Sequence, residues 1–442
     1  NISTVSQRGT TGTNSPALST ISALNSIYSS SDKDHIASRF NEAFATISSN
    51  PALFSRALSE MYSHNDGFDL TSVDGRTQLA DKEKTNIAIR NIIACIARLA
   101  ELPDSGNRLA TIYQRISGLY SPGNWQIAEY FNQAAFNALA KSDPRLLKEM
   151  MNKNQVFDKP LAMLALQRSG FKLSQSEIKA VISSSGPTRA GALLQYVDDP
   201  GFKLQYLRGS LQALQGKPFL EKCYREREMI NALASFPEGQ IELGNLQAQG
   251  RISFVIVNGI YFGSLPGSGL TASNLAGYQK TLEASAAYIN QANQRFGGRE
   301  AIRFIDITPN EINGQQLNPA GWGDNALYMT VGMLNNSARA VSFILLHEAC
   351  EQKHEKGFFS SQLAKTYLAA IKEGKASGSL LQIFKLGNRI GGGYANTGIG
   401  HPWDSEKEWL AETASSVIIG EPLPNKASPA QSAARQLLQE KN

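Results

Sequence analysis

A short stretch near residue 350 carries the residue types that metal chemistry most often uses. In SFILLHEACEQKHEKG, residues 342–357, apolar residues lead into His347 and Glu348, and charged residues follow. On an α-helix, side chains four residues apart lie one above the other, with Cβ atoms about 5–6 Å apart. His347 and Glu351 can therefore bind one ion together. Glu348, rotated by about 100°, would lie beside that ion, where a general base takes a proton from metal-bound water.

A third ligand must come from another part of the chain, and the downstream segment EWLAETA is the best source. Glu408 and Glu412 are four residues apart in this segment and share one helix face. Glu412 is the first choice and Glu408 the second. His401 and Asp404, in the loop before that helix, are the alternative ligands.

A second histidine, His354, follows in the same stretch. It lies seven residues after His347, which is a rise of about 10.5 Å along a helix and too far for both to bind one ion. We expect His354 to orient Glu351 or to contact a substrate. Glu351 and His354 also match half of the paired Glu-x-x-His pattern of di-iron proteins, but the sequence has no second half.

The segment from about residue 300 to 420 resembles the catalytic core of zincin metallopeptidases, most closely the toxin and effector type such as lethal-factor-like domains. In that family a strand before the motif helix binds the substrate backbone, and a downstream helix supplies a Glu ligand. NALYMTV before LLHEACE, and EWLAETA after it, have the same layout. The resemblance implies His347 as the first ligand, Glu348 as the general base and Glu412 as the third ligand. It also implies that Tyr394, in the loop between the helices, stabilises an oxyanion.

Glu351 departs from the family pattern, which has a histidine at this position. The ligand set becomes His-Glu-Glu, and carboxylates are competent zinc ligands. Two carboxylates donate more charge to the ion, weaken it as a Lewis acid, and suit harder ions such as Mn²⁺ or Fe²⁺ somewhat better. We therefore expect zinc in this site, with manganese or iron as the alternatives.

The surrounding sequence predicts an α+β, mostly helical chain, in which a helical N-terminal domain precedes a zincin-like mixed domain. Residues 32–235 have successive amphipathic patterns separated by breaks rich in Pro, Gly and Asn. Residues 240–425 contain a predicted hairpin at Asn258-Gly259, one long helix, two strands, the motif helix and a last helix. Residues 426–442 are expected to form a C-terminal tail.

The N-terminal segment has a distinctive composition. Residues 1–31 are more than half Ser, Thr and Asn, and Arg8 is their only charge. Such a segment is typical of a disordered leader. It resembles the uncleaved export signals of effectors that bacterial type III secretion injects into host cells. We therefore expect a virulence protein secreted without a cleavable signal peptide into the host cytosol, with a secretion chaperone as an N-terminal partner.

The overall composition disfavours several classes of function. The net charge of +5 is small for 442 residues and is not concentrated in a basic run, so a nucleic-acid partner is not predicted. Three widely spaced cysteines form neither a disulfide framework nor a Cys-x-x-Cys metal pair, which is typical of a reducing compartment. No apolar run has the length of a membrane span.

Three functions follow from the sequence. The first is an effector-type metallohydrolase, a metal-dependent protease that acts on a host protein. The alternative is a non-enzymatic interaction protein with a metallopeptidase domain that has lost its metal, and a hydrolase of another bond is a third. The enzyme requires His347, Glu348, Glu351 and a downstream acid to meet in a cleft open to solvent. The interaction protein is expected to pair Glu351 with Lys or Arg and to have no cavity.

Overall fold

The computed structural model describes residues 105–117, 125–185, 189–312, 314–317, 319–323, 326–360, 406–420 and 429–440, except 267 and 269, and a few further single residues. Over these residues the protein is α+β and mostly helical with a small mixed sheet, which confirms the predicted fold class. The predicted leader and three candidate site residues, Tyr394, His401 and Asp404, lie outside the described residues.

In the described part of the chain, nine helices precede the first strand. They are α1 (Ser105–Ser117), α2 (Trp125–Ser142), α3 (Pro144–Asn152), α4 (Lys159–Arg168), α5 (Gln175–Ser184), α6 (Ala190–Leu194), α7 (Pro200–Ala213), α8 (Phe219–Leu233) and α9 (Pro237–Ala248). Asp143, Asp158 and Asp199 cap α3, α4 and α7, each followed by a proline in the first turn. An aspartate cap accepts a free backbone N–H of the first turn, and proline there costs no hydrogen bond. The starts of these three helices are therefore fixed by their local sequence.

The sheet begins immediately after α9. Its strands are β1 (Ser253–Val257), β2 (Ile260–Ser264), β3 (Phe304–Thr308), β6 (Ala320–Gly323) and β7 (Ala326–Thr330), in the order β1-β2-β3-β7-β6; β4 (Glu311–Ile312) and β5 (Gln315–Gln316) form a separate small hairpin. The neighbours β2, β3 and β7 are parallel, and the two outer strands are antiparallel to them. Asn258 and Gly259 have φ of 49° and 77° between β1 and β2, which confirms the predicted tight hairpin.

Two predicted elements of the second half are shorter than expected. The one long helix predicted after the hairpin is two helices, α10 (Ala272–Ala276) and α11 (Gln279–Ala292), because Gly277, a weak helix former, ends the first one. The predicted strand that contains NALYMTV ends at Thr330, and a 3₁₀ turn (Val331–Asn335) follows. The side chain of Asn310 accepts a hydrogen bond from the Gly332 N–H at 2.8 Å, and a side chain at Gly332 would collide with it.

The motif helix, α12 (Ala338–Glu355), lies between two hydrophobic cores. Ser337 caps its first turn by accepting a hydrogen bond from Ala340 N–H. One side of α12 contributes Leu345 to the core that covers the sheet, and the other contributes Leu346 to the larger core of the helical half. The helix is thereby fixed about its own axis.

Two helices complete the described chain, α13 (Glu406–Ile418) and α14 (Pro429–Gln439), the second within the predicted tail. Trp409 and Leu410 of α13 are fully buried in the same core as Leu346 of α12, so α13 packs directly along the motif helix. Among the described residues, no helix combines the length and the apolar character that crossing a bilayer requires.

Candidate functional site

The three metal ligands predicted first, His347, Glu351 and Glu412, come together between α12 and α13. Nε2 of His347 lies 3.0 Å from Oε1 of Glu351, one helical turn further along α12. Nδ1 of the same ring lies 3.8 Å from Oε1 of Glu412 on α13. The exposed fractions of the three residues are 4%, 7% and 5%. Two carboxylates from different helices thus approach one buried imidazole ring.

Glu351 is enclosed by two residues that the sequence analysis did not identify. Its Oε2 accepts a hydrogen bond from Nε1 of Trp322, on the outer strand β6, at 3.2 Å. The same oxygen lies 3.1 Å from Nζ of Lys407 on α13. Lys407 also lies 3.2 Å from Oε1 of Glu355 and over the Trp322 ring. One ammonium group therefore links two carboxylates of the motif helix, and an indole covers it.

Imidazole and carboxylate groups are suitable ligands for a divalent ion, and one pair of them is also suitably spaced. Two ligands at about 2.1 Å from one ion, at angles of about 90–110°, are themselves about 3.0–3.4 Å apart. The His347–Glu351 separation falls in this range. Glu412 lies at the other ring nitrogen, so it would reach the same ion only after a side-chain rotation. Within the described residues, three or more His, Cys, Asp or Glu side chains are nowhere grouped in positions to hold a metal.

Glu348, the predicted general base, lies on a different side of α12. It is half-buried, in contrast to its two buried neighbours in the motif. Burial, with the nearby Tyr224 and the Glu348 charge adding to it and Arg227 opposing it, raises the pKa of Tyr328 on β7 to about 12. The Arg227 guanidinium lies 4.6 Å from the centre of the Tyr328 ring. Glu348 thus lies near a phenol that stays protonated at neutral pH.

The other predicted site residues occupy the ends of the two helices. His354 is half-buried, with its ring 5.8 Å from that of Phe359, whereas the contacts of Glu351 described above are with His347, Trp322 and Lys407. Glu408 lies in the first turn of α13, and its side chain is outside what the structure describes. The roles of these residues stay predictions.

A second charged cluster lies at the C-terminal end of α12, around Glu300. This fully buried carboxylate accepts hydrogen bonds from Arg168 Nε and NH2, at 2.7 and 3.0 Å, and from the hydroxyl of Tyr196 at 2.8 Å. Lys356 Nζ lies 3.0 Å from Oε2 of Glu300, and Lys353 Nζ donates to the Glu300 backbone carbonyl. Burial alone would raise the pKa of Glu300, but Arg168 and Lys356 outweigh it and hold that pKa well below its usual range. The cluster ties α12 to the helical half.

The sequence contained little signal for these additional residues. Lys407 and Trp322 reach Glu351 from another helix and from a strand. Both residues are far from the motif in sequence, so no helical or strand spacing connects them to Glu351. Comparison with known proteins gives no further assignment: no protein-family model, no curated protein and no solved structure matches this chain.

Proposed function

We propose that this protein is a metal-dependent hydrolase of the peptidase type, with its catalytic site between α12 and α13. One observation carries the proposal: Glu412, chosen from the sequence as a partner for His347, lies beside that histidine across two separate helices. Burying two carboxylates and an imidazole together is costly unless they are paired or coordinate an ion. A divalent cation is the partner that this donor set suits best.

The proposed roles follow from where each side chain lies. His347 Nε2 and Glu351 Oε1 would hold the ion, and Glu412 would either complete the ligand set or fix the imidazole from its Nδ1 side, as carboxylates often do for metal-binding histidines. When bound, zinc lowers the pKa of a coordinated water toward about 7 and polarises a carbonyl. Glu348, half-buried and one residue from His347, would be the group that takes a proton from an attacking water.

The outer strand β6 is the better candidate for the substrate-binding strand than the predicted NALYMTV strand. That strand, β7, is hydrogen-bonded on one side to β3 and on the other to β6. In the described sheet, β6 is the last strand, and its Trp322 contacts Glu351. An extended peptide added to β6 would use backbone hydrogen bonds beside the proposed ligands.

The proposed place of action rests on the sequence, and the proposed substrate class rests on the sequence and on the surroundings of the site. The Ser/Thr/Asn-rich leader supports a secreted effector that reaches a host cytosol and cleaves a protein there, with a secretion chaperone bound before export. The half-buried proposed base and the outer strand beside the site support a polypeptide rather than a small-molecule substrate.

A specific contact favours a second candidate function. The Lys407–Glu351 pair at 3.1 Å is the feature expected of a non-enzymatic interaction protein with a lapsed metal site. In that case the lysine, rather than a metal ion, compensates the carboxylate that stands where the family has histidine. The helical half would then carry the function by binding a partner.

Cleavage of a peptide library derived from a eukaryotic proteome, read by mass spectrometry, tests the first proposal. With zinc or manganese supplied, we expect a defined set of new termini that a chelator abolishes. Glu348→Gln should lower the rate at which these termini form by about 10²-fold or more, as expected for loss of a general base. Glu283→Gln, an exposed glutamate on α11, is the matched control and should cleave like the wild type. Absence of cleavage with every metal, or equal cleavage by Glu348→Gln, would contradict the proposal.

A further inference from the structure

A cavity of about 470 Å³ lies at the junction between the helical half and the end of the motif helix. Its wall is formed by the end of α4, the α4–α5 connection and the start of α5, together with Tyr196, the turn at Gly298 and Arg299, and Phe358 just beyond α12. The volume is in the range of small-molecule sites, about 300–1,000 Å³. No role proposed above uses this cavity.

Two buried donors on the cavity wall have no hydrogen-bond partner within the described structure. The side chain of Arg168 is 6% exposed. Its Nε and NH2 donate to Glu300, whereas its NH1 is unpartnered. The neighbouring Gln167 has an unpartnered Nε2. A buried donor without an acceptor costs about 1–3 kcal/mol. Two such donors on adjacent residues of one cavity indicate a ligand rich in acceptor oxygens.

The charges around the cavity favour an anion. Three cationic side chains line it: Arg168 and Lys172 from the end of α4 and the loop after it, and Arg299 from a distant turn. Asp198 is the acidic residue of the lining, and it pairs with Arg299 at 3.0 Å. Lys172 is exposed at the cavity and thus available to a ligand. Phosphate has several oxygens that can accept from such donors together.

The rest of the lining is apolar and aromatic. Phe171 and Phe358, both half-buried, contribute their rings to the wall together with Leu173 and Ile178. Aromatic rings favour offset-stacked or edge-to-face contact with a planar group. We propose that this cavity binds a small organic phosphate that carries a planar ring, such as a nucleoside monophosphate, with the phosphate at Arg168, Lys172 and Arg299 and the ring at the two phenylalanines.

The site is joined to the motif helix through Glu300. Arg168, which lines the cavity, holds the same carboxylate that Lys356 holds from the end of α12. Phe358 follows Lys356 by two residues and lines the cavity directly. A bound ligand therefore contacts both halves of the molecule and should raise its thermal midpoint.

Calorimetric titration of the full chain with adenosine monophosphate, adenosine and inorganic phosphate at low salt tests the proposal. We expect the nucleotide to bind and to raise the thermal midpoint. Adenosine should bind at least about tenfold more weakly, because it lacks the charge-assisted hydrogen bonds. The double variant Lys172→Gln/Arg299→Gln should weaken nucleotide binding about tenfold or more. Both side chains lie at the surface, so the variant is expected to fold.

A matched double variant, Lys217→Gln/Arg208→Gln, controls for the loss of two positive charges. These side chains are 42% and 55% exposed, are paired with glutamates and lie outside the cavity lining. Nucleotide affinity should be unchanged in this control. The proposal is overturned if the nucleotide shows no binding at millimolar concentration, if adenosine binds equally well, or if both double variants lose the same affinity.

Discussion

Two buried charged clusters lie along α12, and their compositions are opposite. At its C-terminal end, Arg168 and Lys356 surround one carboxylate, Glu300. Over its last three turns, beside α13, the carboxylates of Glu351, Glu355 and Glu412 approach one imidazole and one ammonium group. The first cluster satisfies an anion with protein cations, and its carboxylate stays ionised because its pKa is lowered. The second brings acceptors together, which is the arrangement that a metal ion requires.

The difference supports a structural role for the first cluster, and we propose a functional role for the second. A carboxylate held by two cations joins α12 to the helical half and leaves little freedom at that end of the helix. Acidic side chains gathered against a histidine are unfavourable without a cation, whether that cation is Lys407 or a metal ion. The predictions below therefore expect removal of a charge to cost most in the first cluster, and metal to matter only in the second.

The largest effect is expected for Glu300→Gln. Losing this charge leaves Arg168 and Lys356 buried without their anion, which typically costs about 3–5 kcal/mol of the free energy of unfolding. Urea denaturation measures it, with Glu221→Gln, a 59%-exposed partner of Lys217, as a control expected within about 0.5 kcal/mol of the wild type. If the two variants were equally stable, Glu300 would not hold α12 to the helical half.

The same carboxylate should make stability depend on pH in a defined direction. The folded pKa of Glu300 is lowered, so its contribution is fully present above the unfolded value near 4.5 and is lost as pH falls through the folded pKa. The stability difference between the wild type and Glu300→Gln should therefore be constant from pH 7 to about 5 and should narrow below about 4.5. A difference that widened on acidification would contradict this sign.

Lys407→Met should lower the free energy of unfolding by an intermediate amount, and zinc should offset this loss only if the second cluster binds metal. It removes the ammonium between Glu351 and Glu355, and leaving those buried groups uncompensated should cost about 1–3 kcal/mol without metal. If an ion belongs between α12 and α13, added zinc should restore more stability to this variant than to the wild type. Equal stabilisation of both proteins by zinc would place its binding elsewhere.

The smallest effect is expected at the start of the motif helix. Ser337→Ala removes the cap that accepts the Ala340 N–H, which should cost about 1 kcal/mol and leave metal binding unchanged, because α12 is held along its length by two cores. Thermal melts beside metal titrations give both quantities. A loss of metal binding here would mean that the cap, rather than the packing, orients His347.

The sequence predicted those features that depend only on residues close together in the chain. The four-residue spacings of His347 with Glu351 and of Glu408 with Glu412, and the Asn258-Gly259 turn, depend on backbone geometry alone and can be read directly. Strand β6 was missed because AGWG is four residues long and half glycine, without the alternation that marks a strand.

The contacts across the fold could not be predicted in the same way. Arg168, Glu300 and Lys356 meet only after the helical half packs against α12, and no sequence spacing connects them. Trp322 and Lys407 likewise reach Glu351 from β6 and α13. The partner of a buried charge is set by the tertiary structure, so the sequence identified candidate ligands without the cation that already contacts one of them.

The most direct test is the metal content of the purified full chain, measured by elemental mass spectrometry beside His347→Ala and Glu351→His. We predict about one zinc, manganese or iron ion per chain in the native protein and its loss in His347→Ala. The identity of the ion will show whether Glu351 has changed the preference. A native protein that stays free of metal with each ion supplied, while Glu351→His gains one, would contradict the proposed enzyme and establish a lapsed site compensated by Lys407.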